Sequence, residues 1–224
     1  MALWRFHLAD FLEARSVDLR EKANIKYNAD FCRAYGLKDR RQEERPVLRY
    51  NYYGPVNFYL LDDLIASGRV QKDDCILDVG CGTGMFLFYM AAHGYLNLSG
   101  QELDPELYNL TRKNQRQFLA ACPDYGGNIE IRNENAVTTP FPDDVNFCYL
   151  FNSFYDQTTY EEWLAVVHES LKRRPRHLTI ALLYPTPSSI AAFRRAGWLK
   201  ESGELRSISQ IYNRYVRFLF FESY

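Results

Sequence analysis

One stretch constrains the fold of this chain more than any other, the run CILDVGCGTGM over residues 75–85. It joins a short apolar, β-rich segment to glycines at the alternate positions 80, 82 and 84. Such a run predicts a buried strand that ends in a tight loop. Residues 85–94 are then largely apolar, lack proline and end at a glycine, which predicts a helix. This order of strand, loop and helix is typical of the first unit of a nucleotide-binding α/β sheet.

The spacing of the glycines separates two kinds of nucleotide site. Dinucleotide-binding sheets use Gly-x-Gly-x-x-Gly, whereas here Gly80, Gly82 and Gly84 stand two residues apart and follow Asp78. An acid at the end of the strand suits the ammonium group of an amino acid better than a pyrophosphate. The spacing therefore disfavours a nicotinamide-dependent oxidoreductase.

A second motif follows at residues 96–106. The short apolar run LNLSGQE ends in Glu102, and Asp104, Pro105 and Glu106 come next. An Asp at the N-cap, a Pro at the first helical position and a Glu in the first turn predict the start of a helix. Glu102 therefore lies at the carboxyl end of a second strand, where a carboxylate can bind ribose hydroxyls. In the helix over 105–121, the residues expected to face inward are Leu107, Leu110, Phe118 and Ala121.

The two motifs together, DVGCGTG and GQELDPE, resemble those of the class I, Rossmann-like S-adenosylmethionine-dependent methyltransferases. The resemblance implies S-adenosylmethionine as cofactor and S-adenosylhomocysteine as product. It also implies that the glycine loop holds the methionine and ribose part, that Glu102 holds the ribose, and that Asn135 reads the adenine where the family usually has Asp. The cofactor-binding residues expected on this basis are Asp78, Gly80, Cys81, Gly82, Gly84, Glu102, Leu103, Asn135, Ala136 and Asn152.

The rest of the chain alternates predicted strands and helices and then ends in two strands, near residues 199–208 and 212–221. This order fits an α/β, Rossmann-like sheet of seven mostly parallel strands with flanking helices and a C-terminal antiparallel hairpin. The sequence pattern of residues 1–49 differs from that of the rest of the chain and predicts an N-terminal helical extension or lid. Residues 50–224 are the predicted methyltransferase domain.

Candidate residues for the methyl acceptor follow the fourth predicted strand. Asn152-Ser-Phe154 resembles the Asn-Pro-Pro-Tyr/Phe motif of amino-methylating enzymes, although serine replaces the prolines and the motif is one residue short. We expect Asn152 to orient the acceptor, with Phe154 and Tyr155 as catalytic-pocket walls; the alternative is an asparagine that caps local backbone. By the same resemblance the segment before the first strand contributes to the acceptor pocket, unless its tyrosines only pack against the sheet. Its pocket candidates are Tyr50, Tyr53 and Asn57.

The net charge of the chain limits the classes of methyl acceptor that we expect. Lys and Arg number 27 against 28 Asp and Glu, so no overall field attracts nucleic acid or anionic lipid. The expected acceptor is a small molecule or a peptide, with nitrogen slightly favoured over oxygen, and nucleic acid is not expected. Two alternatives remain open: a cofactor-binding interaction module without turnover, and a protein or nucleic-acid methyltransferase. The sequence predicts no oligomeric state.

The cysteines and the N-terminus bear on location. Five cysteines form no Cys-x-x-Cys pair, which favours free thiols in a reducing compartment. Neither a signal peptide nor an apolar run of membrane-spanning length is visible, so a cytoplasmic protein without membrane contact is expected. No His, Asp or Glu spacing predicts a metal site.

Overall fold

The sheet order defines the fold. The computed structural model describes residues 28–38, 58–206 and 217–224. Within these ranges seven strands form one sheet in the order β3-β2-β1-β4-β5-β7-β6. The strands are β1 (Cys75–Val79), β2 (Asn97–Glu102), β3 (Asn128–Asn133), β4 (Phe147–Phe151), β5 (Thr179–Leu183), β6 (Leu199–Arg206) and β7 (Arg217–Ser223). The helices within residues 58–206 are α1 (Phe58–Ala66), α2 (Met85–Ala92), α3 (Pro105–Ala121), α4 (Gln157–Arg173) and α5 (Pro187–Arg195).

The pairing confirms the predicted sheet. Strands β1 to β5 are parallel to one another, whereas β7 runs antiparallel to both β5 and β6. Because β2 and β4 flank β1 on opposite sides, the chain reverses its winding direction at β1. Such a switch point opens a crevice at the carboxyl ends of the strands. That crevice is bordered by the loops that leave β1, β2 and β4.

Two hydrophobic layers hold the helices on the sheet. Helices α1, α2 and α3 cover one face, with residues such as Phe58, Phe88 and Phe118 fully buried. Helices α4 and α5 cover the other face through residues such as Trp163 and Phe193. Burial of each such side chain stabilises the fold by roughly 1.5–3 kcal/mol.

Only part of the predicted N-terminal extension lies within the described residues. Residues 28–34 are helical. The centroid of the Phe31 ring lies 4.9 Å from that of Phe58 and 5.2 Å from that of Tyr89. This segment therefore belongs to the α1–α2 side of the core. The pocket candidates Tyr50, Tyr53 and Asn57 lie outside the described residues, and the division at residue 49 stays a prediction.

The structure also bears on the predicted inward face of α3. Phe118 is buried as predicted, but Ala121 is exposed, and the buried positions include Thr111 and Asn114. Polar side chains therefore take part of the face that the sequence assigns to apolar ones. In the described part of the chain, none of the helices is both long and apolar enough to cross a membrane.

Candidate active site

The loop after β1 has a backbone that favours glycine at three positions. Gly80, Gly82 and Gly84 have φ values of 75°, 56° and 80°, in the left-handed region where a Cβ is strained. The amides of Gly80 and Cys81 both donate to the carbonyl of Gln101, at 2.9 Å each. The loop is therefore fixed against β2, and its backbone conformation favours glycine at all three positions.

Glu102 ties the end of β2 to the same loop. One carboxylate oxygen accepts a hydrogen bond from the Gly82 amide at 2.7 Å, and the other accepts from the Asp104 amide at 2.8 Å. A carboxylate has about four acceptor sites, so Glu102 keeps acceptor capacity for a ligand hydroxyl. The expected ribose contact of Glu102 stays a prediction, and the carboxylate has the acceptor capacity that it requires.

Asp78 and Glu102 place two acids in one buried region. Burial raises the pKa of Asp78 well above its usual range, and the neighbouring Glu102 carboxylate raises it further. Burial also raises the pKa of Glu102, although the amides of Asp104 and Gly82 act in the opposite direction. Among the residues that the structure describes, no Lys or Arg forms an ion pair with either acid.

This charge arrangement fits one class of cofactor and opposes another. A ligand with an ammonium and a sulfonium group would bring positive charge to two acids that lack a partner among the described cations. A pyrophosphate would bring like charge to the same acids. The glycine loop, Asp78 and Glu102 therefore fit S-adenosylmethionine better than a dinucleotide.

The residues expected at the adenine follow β2 and β3. Leu103, directly after Glu102, is 41% exposed, so its side chain offers an apolar surface. The Asn135 side-chain oxygen accepts the Val137 amide at 3.0 Å in a local turn that also includes Ala136. A carbonyl oxygen can accept a second hydrogen bond, so the adenine roles of Leu103, Asn135 and Ala136 stay predictions.

Cys81 has a packing role in the loop. Its side chain is buried, and a Cβ at Gly100 would lie only 2.9 Å from the sulfur. Burial raises the pKa of the Cys81 thiol well above its usual range, and Asp78 and Glu102 raise it further. The thiolate is therefore disfavoured, and Cys81 fills space between the loop and β2.

The turn after β4 lies against the glycine loop. The Ser153 hydroxyl donates to the carbonyl of Val79, the last residue of β1. A Cβ built on Gly80 would lie 3.4 Å from the Ser153 Cβ. Asn152, the residue before, has a φ of 50° and is partly exposed. The structure therefore brings the turn that contains Asn152 to the glycine loop, and the acceptor-orienting role of Asn152 stays a prediction.

The two aromatic wall candidates lie in different environments. Phe154 is only 3% exposed and packs 5.1 Å from Tyr160 and 6.0 Å from Trp163, beneath α4. A ring with so little exposed surface has little face to offer an acceptor. Tyr155 is 59% exposed at the start of the connection to α4. The roles of Phe154 and Tyr155 at the acceptor stay predictions.

Two buried polar residues that sequence reasoning missed support the loop from α3. The Thr111 hydroxyl donates to the Gly82 carbonyl. The Asn114 side-chain amide donates to the carbonyls of Thr83 at 3.0 Å and Lys38 at 2.8 Å, and its oxygen accepts the Lys38 amide at 2.9 Å. Asn114 therefore joins the N-terminal segment to the glycine loop. The available signal was two polar residues three positions apart on the inward face of a predicted amphipathic helix.

The fold and the loop define a Rossmann-like nucleotide-binding domain. Residues 76–174 match the family model described as a methyltransferase domain. The matched region is a class I S-adenosylmethionine-dependent methyltransferase domain, which confirms the resemblance carried by the two sequence motifs. The chain is also similar in fold to an RNA methyltransferase from Salinibacter ruber, solved with S-adenosyl-L-homocysteine. That likeness has a TM-score of 0.52 and 14% identity and covers 76% of this chain and 92% of the other.

Curated relatives match over part of their length. A tRNA U34 carboxymethyltransferase from Helicobacter pylori is 28% identical over 131 residues, covering 58% of this chain and 48% of the relative. A protein named as a probable ribosomal RNA small subunit methyltransferase A, from Methanopyrus kandleri, is 25% identical over 123 residues, covering 55% and 38% respectively. The chain thus spans about half the length of the first relative, and less of the second.

These relatives correct one expectation. The near-zero net charge led to the prediction that a nucleic-acid partner is unlikely, but the names of both relatives refer to RNA modification. The prediction was wrong because net charge averages over the surface and does not describe local charge. On α3, for example, Arg112, Lys113 and Arg116 are at least partly exposed, and the ion pairs between described residues include none of them.

Proposed function

We propose that this chain is an S-adenosylmethionine-dependent methyltransferase that modifies a base of an RNA. The observation that carries the cofactor is the pair of buried acids beside a left-handed glycine loop, Asp78 and Glu102. The RNA acceptor is supported by the two relatives named for tRNA and ribosomal RNA. The small-molecule or peptide acceptor expected from net charge has no comparable support.

The site chemistry needs few side chains. When bound, S-adenosylmethionine supplies an electrophilic methyl group. The role of the chain is to hold the acceptor atom about 3 Å from that group and in line with the breaking bond. Asn152 precedes Ser153, which contacts the glycine loop. The Asn152 amide oxygen is buried, so the side chain would turn toward the acceptor to accept a hydrogen bond from its N–H. This contact would orient the nitrogen lone pair toward the methyl group.

A radiolabel-transfer assay tests the proposal. The full chain is incubated with methyl-labelled S-adenosylmethionine and, in separate reactions, with unmodified tRNA, ribosomal RNA, DNA, a peptide mixture and a small-molecule extract. We expect label in an RNase-sensitive product, and mass spectrometry of its nucleosides identifies the modified base. Label only in the peptide or extract reactions would contradict the RNA acceptor.

The remaining alternative is a cofactor-binding module without turnover, and the same assay separates it. Calorimetry would then show binding of S-adenosylhomocysteine, but no substrate would become labelled. An Asp78→Asn variant is the control for transfer that does not depend on the site. A parallel reaction with a sulfonium donor that carries a carboxymethyl group in place of the methyl group tests the chemistry named for the H. pylori relative.

A further inference from the structure

Two aromatic rings lie together at the carboxyl ends of β4 and β5, beside Asn152. Phe151 is the last residue of β4, and Tyr184 directly follows β5, where Phe151 is paired with Leu183. The Phe151 and Tyr184 rings stack with centroids 5.1 Å apart and an interplanar angle of 23°. Both side chains are partly exposed. They form a stacked pair in which neither ring is fully buried.

The backbone at this edge is unusual in two adjacent places. Asn152 and Tyr184 are the only residues other than glycine with positive φ in the described part of the chain, at 50° and 54°. Asn visits this region readily, but for a bulky residue such as Tyr it is a strained outlier. The Tyr184 amide still donates to the Arg217 carbonyl of β7 at 3.1 Å. Residues held in such conformations are concentrated at functional sites.

The pair lies on the same side of the sheet as the helix that follows the glycine loop. In that layer the buried Tyr149 ring of β4 stacks on the Phe86 ring of α2, with the ring centroids 3.9 Å apart. Phe151 comes two residues later on the same strand face, closer to the carboxyl edge. The aromatic layer therefore continues from the core beneath α2 to the partly exposed Phe151–Tyr184 pair, next to the turn that meets the cofactor loop.

We propose that Phe151 and Tyr184 form a stacking platform for one unpaired nucleobase of the RNA acceptor, with Asn152 at its edge. This inference rests on the proposed function and specifies its substrate as a base in a single-stranded segment. Unstacked bases of loops and ends are recognised by aromatic rings in this way. Asn152 is then placed to contact the polar edge of the same base.

The test uses a fluorescent, single-stranded 12-residue oligoribonucleotide of mixed sequence, bound in the presence of S-adenosylhomocysteine. Its affinity is measured for wild type, Phe151→Leu, Tyr184→Leu and Tyr184→Phe. A matched control is Trp198→Leu, because Trp198 forms another partly exposed stack, 5.0 Å from His168, on the opposite face of the sheet. Calorimetry with S-adenosylhomocysteine and thermal melting verify that each variant is folded.

We expect Phe151→Leu and Tyr184→Leu to weaken RNA binding by roughly fivefold to a hundredfold, the range for loss of one base–aromatic stack. Tyr184→Phe and Trp198→Leu should bind RNA as wild type does. Each leucine variant should retain cofactor affinity. Replacement of single bases by abasic sites should weaken wild type at one or more positions, and this loss should shrink in Tyr184→Leu.

The outcomes separate this inference from the proposal on which it rests. If wild type binds and methylates RNA but the leucine variants do so equally well, the platform is wrong and the RNA methyltransferase stands. If wild type neither binds nor methylates RNA in any reaction, both fall together. If Tyr184→Leu loses cofactor affinity as well as RNA affinity, the pair supports the fold instead of contacting a base.

Discussion

The Glu102 carboxylate at the end of β2 accepts a hydrogen bond from the Gly82 amide at 2.7 Å, in the loop that follows β1. The acid expected to hold the ribose therefore also sets the shape of the loop. A substitution at Glu102 changes two things at once, the ligand contact and the support of the glycine backbone.

Loss of this carboxylate should reduce cofactor affinity by more than a simple loss of one ligand contact. Glu102→Ala leaves two amides, of Gly82 and Asp104, without their acceptor, at roughly 1–3 kcal/mol for each buried group. We expect calorimetry to show at least a tenfold loss in S-adenosylhomocysteine affinity together with a lower melting temperature. Glu130→Gln on β3, whose carboxylate is half-exposed and paired with Arg132, should change neither quantity.

The buried acid Asp78 should favour ligand binding at the expense of stability. Its pKa is raised in the folded state, so ionised Asp78 opposes folding. Its contribution to the free energy of unfolding falls as the pH rises from the unfolded pKa through the folded one. Asp78→Asn removes this term, so at pH 7 the variant without ligand should melt at a higher temperature than wild type. It should also bind S-adenosylhomocysteine more weakly; a less stable variant with unchanged affinity would contradict the assignment.

The same pKa shifts predict a pH dependence of cofactor binding. Burial raises the pKa of both Asp78 and Glu102, so both bind protons at pH values above the usual carboxyl range. Protonation removes their attraction for the ligand cation. Calorimetry at decreasing pH should therefore show weaker S-adenosylmethionine binding before ordinary surface carboxyls titrate. The pH dependence should be smaller in Asp78→Asn. Equal slopes in the two proteins would show that Asp78 does not face the cation.

Two glycines with the same backbone conformation test the packing of the loop. Gly84 and Gly94 have φ values of 80° and 81°. A Cβ at Gly84 would approach Phe88 at 2.6 Å and Thr111 at 2.7 Å, whereas nothing lies within 4 Å at Gly94. Both alanine variants carry the left-handed penalty of about 1–2 kcal/mol, but Gly84→Ala adds overpacking of about 1–3 kcal/mol. Urea denaturation should find Gly84→Ala the less stable of the two by that amount.

Asn152 can be tested without disturbing its backbone. Because its φ is 50°, alanine would add strain, whereas glycine adopts this region freely and carries no side chain. Asn152→Gly should lower methyl transfer by on the order of a hundredfold, and by far more than it lowers affinity for S-adenosylhomocysteine, since it removes the amide that orients the acceptor. Normal turnover in this variant would assign Asn152 to capping local backbone.

The cations of α3 give a test of RNA contact that does not involve the reaction. Replacement of Arg112, Lys113 and Arg116 by alanine should weaken RNA binding and flatten its salt dependence by about 0.7–0.9 per lost phosphate contact. Fluorescence anisotropy over a range of salt concentrations measures this slope. Arg174→Ala with Lys200→Ala removes two other cations without described ion pairs. An equal change of slope in both variants would exclude α3 as a specific contact surface.

The sequence predicts the sheet and the glycine loop well because these depend on local signals. The glycines need left-handed φ values, and Asp104 and Pro105 begin α3 as their types indicate. The order of the sheet follows from alternation of strands and helices, because crossover rules leave few arrangements.

The acceptor side depends on contacts between distant segments, which no local pattern encodes. Phe151 and Tyr184 are 33 positions apart and meet only because β4 and β5 pair. Asn114 meets Lys38 across 76 positions. Phe154 looks like a pocket residue by its place in a motif, yet it is buried because α4 returns over it.

The most direct measurement of the central claim is a calorimetric comparison of S-adenosylmethionine, S-adenosylhomocysteine and NAD⁺ on wild type and Asp78→Asn. Two buried acids beside a glycine loop predict that wild type binds the first two ligands and not NAD⁺. They also predict that Asp78→Asn weakens both adenosyl ligands while the protein stays folded. Binding of NAD⁺ in preference, or binding of the adenosyl ligands with unchanged affinity in Asp78→Asn, would contradict the account.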